Sequence, residues 1–302
     1  MNVFICRSFC PGIRWGWGMY YIENEFLKAG FLQHGAELRS LKDKTTGEEY
    51  MWCGDPAYWG RVSPVLFPVV GNYKDKKSYY DGKEYSLSQH GFARDSEFAV
   101  ESASDDEISF VLTSSEDTLK VYPFDFKLTI SYRLKGKTLT VGWRVENTDS
   151  REMHFSIGGH PAFNLRDKDS VIKFYGADSF TAGILDNGLL SERTKEIKLS
   201  DGGLLKPTKE LFLEDALIIE HTDIKKVSLS DKDGKDYLTV SFDAPLFGIW
   251  SPAGKEAPFV CIEPWYGRTD RTDFDMELTH REYGNKLASG EIFEAEYEIT
   301  VY

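Results

Sequence analysis

The stretch LTISYRLKGKTLTVGWRV, residues 128–145, decides the fold class of this chain. Both of its halves carry an apolar residue at every second position: Leu128, Ile130, Tyr132 and Leu134, then Leu139, Val141, Trp143 and Val145. This alternation is typical of strands that bury one face and expose the other. Lys135-Gly136-Lys137 lies between the halves and predicts a tight turn, because glycine adopts positive φ readily. The stretch therefore predicts an antiparallel hairpin.

The same alternation recurs along the chain, for example in Ile108–Leu112 and Phe293–Val301. Further turns are predicted at Thr46-Gly47, Asp81-Gly82 and Asp233-Gly234. Only Pro207–Ala216 favours a short helix, since proline suits the first helical turn. Many short strands without regular strand–helix alternation predict an all-β protein, built as one large antiparallel β-sandwich.

The domain organisation follows from the distribution of these patterns. No linker rich in proline or serine divides residues 19–302, so they are predicted to form a single domain. Strand-like patterning begins only after Met19, and residues 1–18 are therefore predicted to be an N-terminal extension of unknown role.

Charge and hydropathy exclude several classes of protein. The 302 residues include 49 acidic and 36 basic side chains, a net charge of −13, which repels a phosphate backbone and argues against nucleic acid as a partner. The most apolar run, Val62–Val70, is too short to span a bilayer and contains two prolines, which argues against a membrane protein.

The N-terminus and the cysteines bear on location. The first 18 residues lack the long apolar core and small-residue cleavage site of a secretory signal. The cysteines lack C-x-x-C spacing and are few for a disulfide framework, which predicts free thiols: Cys6, Cys10, Cys53 and Cys261. Together these features predict a soluble cytoplasmic protein without a metal site.

Three segments combine a titratable side chain with glycine or proline: QHGFARD (89–95), GGHPAFN (158–164) and CIEPW (261–265). Glycine and proline restrict the backbone, so each segment aims its histidine or glutamate in a fixed direction. A single histidine of this kind is more often structural than functional. The occurrence of all three segments in one chain is what indicates an active site.

With these segments the chain resembles the aldose 1-epimerase (galactose mutarotase-like) superfamily, and most of all its branch found with bacterial lactose operons. The resemblance runs from about Tyr21 to the C-terminus. It also draws on Trp59-Gly60-Arg61, Pro64–Pro68 and Gly290–Phe293. The resemblance implies a β-supersandwich and an isomerase that interconverts the α and β anomers of a free hexose, with no cofactor and no metal.

The resemblance also implies roles for individual residues. Glu263 matches the general base at the anomeric hydroxyl, and His160 matches the general acid at the ring oxygen. His90 matches a second histidine that contacts the sugar, and Asp215 resembles an aspartate that holds a ring hydroxyl. Histidine, with an ordinary pKa near 6.5, and an ionised glutamate suit these proton transfers. Among the tryptophans, Trp265 is favoured to stack on the sugar because it follows Glu263.

The sequence leaves two substrate classes open, a free hexose and a hexose 6-phosphate. Free-sugar mutarotases carry an Asn-Arg pair where this chain has Gly71-Asn72-Tyr73. Arg61 and Arg94 resemble positions that hexose-6-phosphate epimerases use to bind phosphate, and guanidinium groups suit that ligand. We expect a free hexose, with a hexose 6-phosphate as the alternative.

Two other functions are less well supported. A glycoside hydrolase needs two carboxylates that flank the scissile bond, whereas the three segments contribute one glutamate and two histidines. A non-catalytic sugar-binding module remains an alternative, although it would need neither Glu263 nor His160. A small sugar is the expected partner, and the oligomeric state is not predicted.

Overall fold

A computed structural model of the chain describes residues 18–302. Apart from Gly18, the predicted N-terminal extension lies outside the described residues, as do Cys6 and Cys10. Strands dominate the described part of the chain, as the alternating pattern predicts, and the prediction of an all-β class is confirmed.

The first twelve strands are β1 (Tyr20–Glu23), β2 (Leu27–Phe31), β3 (Leu38–Asp43), β4 (Val65–Leu66), β5 (Lys77–Tyr80), β6 (Lys83–Ser86), β7 (Ala99–Ala103), β8 (Glu107–Thr113), β9 (Phe126–Lys135), β10 (Thr138–Asn147), β11 (Met153–Phe155) and β12 (Ile157–Gly159). The others are β13 (Ala162–Asn164), β14 (Val171–Phe174), β15 (Ser179–Asp186), β16 (Leu189–Lys198), β17 (Leu204–Leu205), β18 (Leu217–Glu220), β19 (Lys226–Ser230), β20 (Asp236–Phe242), β21 (Leu246–Trp250), β22 (Phe259–Tyr266), β23 (Asn285–Leu287) and β24 (Ile292–Val301).

Two large antiparallel sheets form the sandwich. The nine-stranded sheet has the order β17-β14-β19-β20-β24-β10-β9-β8-β7. The eight-stranded sheet has the order β16-β15-β18-β21-β22-β12-β4, and β13 also pairs with β22. One hydrophobic core contains residues of both sheets, for example Val141 and Ile299 from the first and Ile249 and Ile262 from the second. A single domain requires such a shared core. The assignment of residues 19–302 to one domain and of residues 1–18 to an extension stays a prediction.

The hairpin predicted from residues 128–145 is confirmed. β9 and β10 pair along their whole length, from Thr138 opposite Lys135 to Asn147 opposite Phe126. Gly136 turns the chain with a φ of 57°. The predicted apolar positions face the core, because alternate residues of a strand point to the same side of the sheet.

The helix prediction was wrong. Residues 207–216 form a series of turns, in which the Leu211 N–H donates to Thr208 O and the Asp215 N–H donates to Phe212 O. The apolar pair in this segment is too short to cover a helical face, and only Phe212 enters the core, while Leu213 is exposed. The structure instead has helix α1 (Glu116–Val121), which Ser115 caps through a reciprocal pair of hydrogen bonds with Thr118.

Smaller elements complete the fold. β1, β2 and β3 form a three-stranded sheet, and the pairs β5–β6 and β11–β23 form two-stranded sheets. Short 3-10 helices lie at Lys74–Lys76, Ala93–Asp95 and Leu278–His280. None of the helices in residues 18–302 has the length and apolarity that crossing a bilayer requires.

Candidate active site

Strand β22 divides its side chains between two apolar environments. Val260 and Ile262 point into the core between the two large sheets. Cys261, Glu263 and Trp265 share the opposite face of the strand, because side chains alternate. On that face Cys261 belongs to one small apolar cluster and Trp265 to another. Glu263 therefore lies between two apolar clusters, with only 1% of its surface exposed.

The strand register brings His160 to Glu263. Gly158 of β12 is opposite Trp265, and Ala162 of β13 is opposite Cys261. His160 is two residues after Gly158 and two before Ala162, so the same antiparallel register places it opposite Glu263. Pro161 separates β12 from β13 at this point because proline cannot donate to the ladder.

His160 and Glu263 form a buried acid–base pair. Nε2 of His160 lies 3.3 Å from Oε2 of Glu263. Neither oxygen of Glu263, nor Nδ1 of His160, has a hydrogen-bond partner among the described residues. Leaving such groups unsatisfied costs roughly 1–3 kcal/mol each. The pair thus has free hydrogen-bonding capacity for polar groups of a ligand.

Burial controls the protonation of this pair. Desolvation lowers the pKa of His160 to about 3, with a backbone hydrogen bond opposing the shift and the charges of Arg94 and Arg61 adding to it. Desolvation also raises the pKa of Glu263 well above its usual value, with the charge of Asp215 adding to the rise and the Trp265 indole opposing it. Both shifts favour the uncharged forms, a protonated Glu263 carboxyl group beside a neutral His160 imidazole.

His90 joins the pair as a donor. Its Nδ1 accepts a hydrogen bond from the Gly71 backbone N–H at 3.1 Å, and the backbone N–H of His90 donates to Gly71 O at 2.8 Å. A neutral imidazole that accepts at Nδ1 carries its proton on Nε2. Burial lowers the pKa of His90 well below its usual value, and repulsion from a protonated His160 and from Arg94 and Arg61 adds to the shift, so the ring stays neutral. The ring lies edge to face with His160, with centroids 5.7 Å apart.

The position of His90 depends on a close backbone approach at Gly91. His90 and Gly91 have φ values of 66° and 71°. A Cβ at Gly91 would lie 2.3 Å from the carbonyl oxygen of Phe67. That carbonyl accepts hydrogen bonds from the Phe92 and Ala93 N–H groups. Only glycine fits here without displacing the backbone that carries His90.

Two half-buried tryptophans enclose His160. The indole of Trp59 stacks on the imidazole with centroids 4.7 Å apart, and Trp250 contacts it edge to face at 5.4 Å. The Trp250 Nε1–H also donates to Oδ1 of Asp215 at 2.8 Å. Asp215 has a φ of 73°, in the left-handed region that Asp tolerates. These contacts place the Asp215 carboxylate at the exposed edge of the site.

Trp265 packs tightly against the strands around Glu263. Its side chain is 5% exposed and packs with Leu66 and Leu246. A Cβ at Gly248 would lie 2.5 Å from the ring, and one at Gly158 would lie 2.6 Å from it. The ring therefore lies directly on the backbone of β21 and β12. Trp265 is thus a packing residue beneath Glu263, and its assignment as a sugar contact stays a prediction from the sequence.

Arg61 and Arg94 lie beside the histidines, close enough for their charges to lower the pKa of both rings. Nη2 of Arg61 donates to Oδ1 of Asp95 at 2.8 Å, and Nε of Arg94 lies 3.6 Å from Oδ2 of Asp95. Arg94 also donates from Nη2 to Gln89 O at 2.6 Å. Burial and the charge of Arg61 lower the pKa of Arg94 to about 10. The two cations thus share one carboxylate.

The sequence analysis did not assign Cys261 to this site. Its thiol is fully buried, and together with His160 and Glu263 it offers ligand atoms that all lie within 4.8 Å of one another. Burial and the neighbouring Glu263 raise the pKa of the thiol well above its usual value. The sequence signal was the two-residue spacing of Cys261 and Glu263, which puts both on one face of a strand. No metal site was predicted from the sequence, yet this group combines three types of metal-binding side chain.

Comparisons with known proteins show which family this chain resembles. A family model described as aldose 1-epimerase matches residues 18–300. Protein LacX (plasmid) of Lactococcus lactis subsp. lactis is 28% identical over 295 residues, which cover 93% of this chain and 98% of that protein. The crystal structure of a galactose mutarotase related enzyme from Lactobacillus acidophilus is 38% identical, with a TM-score of 0.89, and the match covers 94% of this chain and 97% of that one.

A further relative matches only part of the chain. The putative glucose-6-phosphate 1-epimerase of Escherichia coli K12 is 30% identical over 152 residues, which cover 45% of this chain and 48% of that protein. It bears on the question of a phosphorylated substrate.

We expect Gly91→Ala to lower the free energy of unfolding by at least about 2 kcal/mol, because positive φ and a close backbone contact both oppose a Cβ. Gly82→Ala is a matched control, since Gly82 has a φ of 72° but no atom within 4 Å of an added Cβ. The control should lose only about 1 kcal/mol. Urea denaturation measures both, and equal losses would show that the Phe67 carbonyl moves aside at little cost.

We also expect Glu263→Gln to stabilise the fold increasingly as pH rises. A carboxyl group whose pKa is raised by folding binds its proton more tightly in the folded state. The free energy of unfolding of the unchanged protein therefore falls as pH rises above the unfolded value of 4.5, by up to about 1.4 kcal/mol per pH unit. The glutamine variant has no carboxyl group at position 263, so its free energy of unfolding should not show this fall.

Thermal unfolding between about pH 5 and pH 8 tests this expectation. Glu298→Gln, at an exposed position of β24, is the control and should show no such trend. The two proteins could instead differ in stability by the same amount at every pH. That result would mean that Glu263 is already ionised in the folded protein.

Proposed function

The chain belongs to the aldose 1-epimerase family and is an enzyme of the isomerase type, and from this we propose that it interconverts the α and β anomers of a free hexose through His160 and Glu263. One observation carries the proposal: the two side chains lie side by side, 3.3 Å apart, in a buried site. The anomeric hydroxyl oxygen and the ring oxygen of a hexose are bonded to the same carbon. An acid and a base that serve these two oxygens must therefore be neighbours.

The proposed reaction returns every proton to the pair. Glu263, once its proton has passed to His160, accepts the proton of the anomeric hydroxyl, while His160 protonates the ring oxygen. The bond between C1 and the ring oxygen breaks, and C1 becomes an aldehyde. Rotation about C1–C2 exposes the other face of the carbonyl, and the reverse transfers close the ring. No net proton is consumed, so a pair that shares one proton is sufficient.

The surrounding residues have binding roles in this proposal. The Nε2–H of His90 donates to a sugar oxygen, because its Nδ1 is already an acceptor. Asp215, held by Trp250, accepts from a ring hydroxyl. Trp59 and Trp250 offer half-buried aromatic surface to the apolar face of the sugar ring.

A specific observation supports a second candidate, a hexose 6-phosphate. Arg61 and Arg94 lie close together, and Nε of Arg94 makes no hydrogen bond within the described residues. We nevertheless propose a free hexose, because Asp95 already contacts both guanidinium groups and the chain carries a net charge of −13. The cytoplasmic location and the absence of nucleic-acid or membrane partners stay predictions from the sequence.

Glu263→Gln should abolish catalysed mutarotation, because an amide cannot accept the proton. His160→Ala should lower kcat at least roughly 10²-fold, the low end of the contribution of a general acid. Polarimetry of freshly dissolved α-glucose and α-galactose measures both. Glu298→Gln and His280→Ala, at exposed positions, should keep the original rate. Unchanged turnover in Glu263→Gln would contradict the base assignment, and a loss confined to KM in His160→Ala would make His160 a binding residue.

Arg94→Ala separates the two substrate classes. For a free hexose enzyme, kcat/KM for glucose and galactose should exceed that for glucose 6-phosphate, and the substitution should leave that order unchanged. Arg133→Ala is the control, since Arg133 is exposed on β9. If glucose 6-phosphate were preferred, and Arg94→Ala removed only that preference, the substrate would be the phosphorylated sugar.

A further inference from the structure

Cys261 lies in the site without a part in the proposed reaction. Its thiol is on the same face of β22 as the Glu263 carboxyl and is fully buried. His160, Cys261 and Glu263 contribute a nitrogen, a sulfur and an oxygen ligand that lie within 4.8 Å of one another. Both oxygens of Glu263 lack hydrogen-bond partners in the described part of the chain. A buried carboxylate that points unpartnered at an imidazole and a thiol is suited to a cation.

We propose that His160, Cys261 and Glu263 also form a binding site for a thiophilic divalent cation, Zn²⁺ above all, and that the bound ion excludes the sugar and stops catalysis. The inhibitory part of this inference rests on the proposed function, whereas the binding part does not. The ion competes with the sugar because it occupies the atoms that would transfer protons.

The ligand types and their spacing fit zinc. Zinc binds imidazole nitrogen at about 2.0–2.1 Å and thiolate sulfur at about 2.3 Å, usually with four ligands in a tetrahedron. Two ligands of a tetrahedral site are then roughly 3.5 Å apart. The 3.3 Å between Nε2 of His160 and Oε2 of Glu263 is close to that spacing. The Cys261 sulfur lies within 4.8 Å of the other two ligand atoms, so binding of the ion requires side-chain rotations that close the remaining gap, and the fourth position is left for water.

Charge balance also favours the complex. A thiolate and a carboxylate each carry one negative charge, and a buried charge is costly unless it is paired. A dication with one thiolate, one carboxylate and a neutral imidazole gives a complex without net charge. Formation of the complex releases the thiol proton, and the proton held on Glu263, to the solvent. Without the ion, a thiolate at Cys261 and a carboxylate at Glu263 would be two buried negative charges with no cation between them.

The first test measures binding without relying on catalysis. The reduced full-length protein is titrated with CdCl₂ as a spectroscopic substitute for zinc, and the ultraviolet absorption of the cadmium–thiolate bond is recorded. We expect the difference between the unchanged protein and Cys261→Ala to saturate at one ion per chain. Cys53→Ala, the control, should show the same saturating absorption as the unchanged protein. Any absorption that remains in Cys261→Ala comes from cadmium bound to the other cysteines. Equal titrations of the unchanged protein and Cys261→Ala would overturn the proposal.

The second test measures inhibition. ZnCl₂ should slow mutarotation of galactose, a chelator should restore it, and Cys261→Ala should need at least about tenfold more zinc for the same fractional loss, as expected when a ligand is removed. Each variant is compared with its own rate without zinc, and Cys261→Ser replaces the alanine variant if the latter does not fold. Inhibition that is equally strong in both proteins would overturn the proposal. If no mutarotation is found at all, the proposed function fails, and the cadmium titration still decides whether the ion binds.

Discussion

The burial of strand β22 on both of its faces is the constraint on which the rest of the structure depends. In β22, alternate residues must satisfy the large core on one side and the site on the other. Because side chains alternate strictly, a shift of the register by one residue would exchange the two sets and bury Glu263 among the aliphatic side chains of the core. The same backbone hydrogen bonds, between β22 and its neighbours β12 and β13, therefore hold this part of the sheet together and place His160 opposite Glu263.

The site concentrates polar groups that the fold leaves unsatisfied. Elsewhere in the described chain most buried polar side chains have partners, as in the Arg281–Asp270 ion pair. At His160 and Glu263 the neighbours are instead tryptophans, small apolar clusters and glycines that lack side chains. An environment of this kind strengthens electrostatic interactions with a ligand and keeps the pair neutral in its absence. Unsatisfied buried groups of this kind lower local stability, a cost that is common at enzyme active sites.

Much of this arrangement was predictable from local sequence, and the remainder depends on long-range contacts. The alternating pattern predicted β9 and β10, and the histidine and glutamate segments identified side chains that the fold does bring together. The hydrogen bond between Trp250 and Asp215 joins residues 35 positions apart and left no local signal.

The errors have physical causes as well. Pro207 suggested a helix where turns form, because a favourable start does not supply an apolar face. The burial of Trp265 was not foreseen, because sequence proximity to Glu263 gives no information on the glycines that let the indole lie against the backbone, and its contact with the sugar stays a prediction. The helix at Glu116 was missed although Ser115 and Thr118 carry a capping signal.

The place of β24 in the nine-stranded sheet has a consequence for biosynthesis. This strand is formed by the last residues of the chain, yet it lies between β20 and β10, near the middle of the sheet. Until it is made, the partly synthesised chain has two unpaired strand edges facing a gap, and such edges promote aggregation. The nine-stranded sheet is complete only once β24, the latest strand in sequence, has been made and has paired with both neighbours.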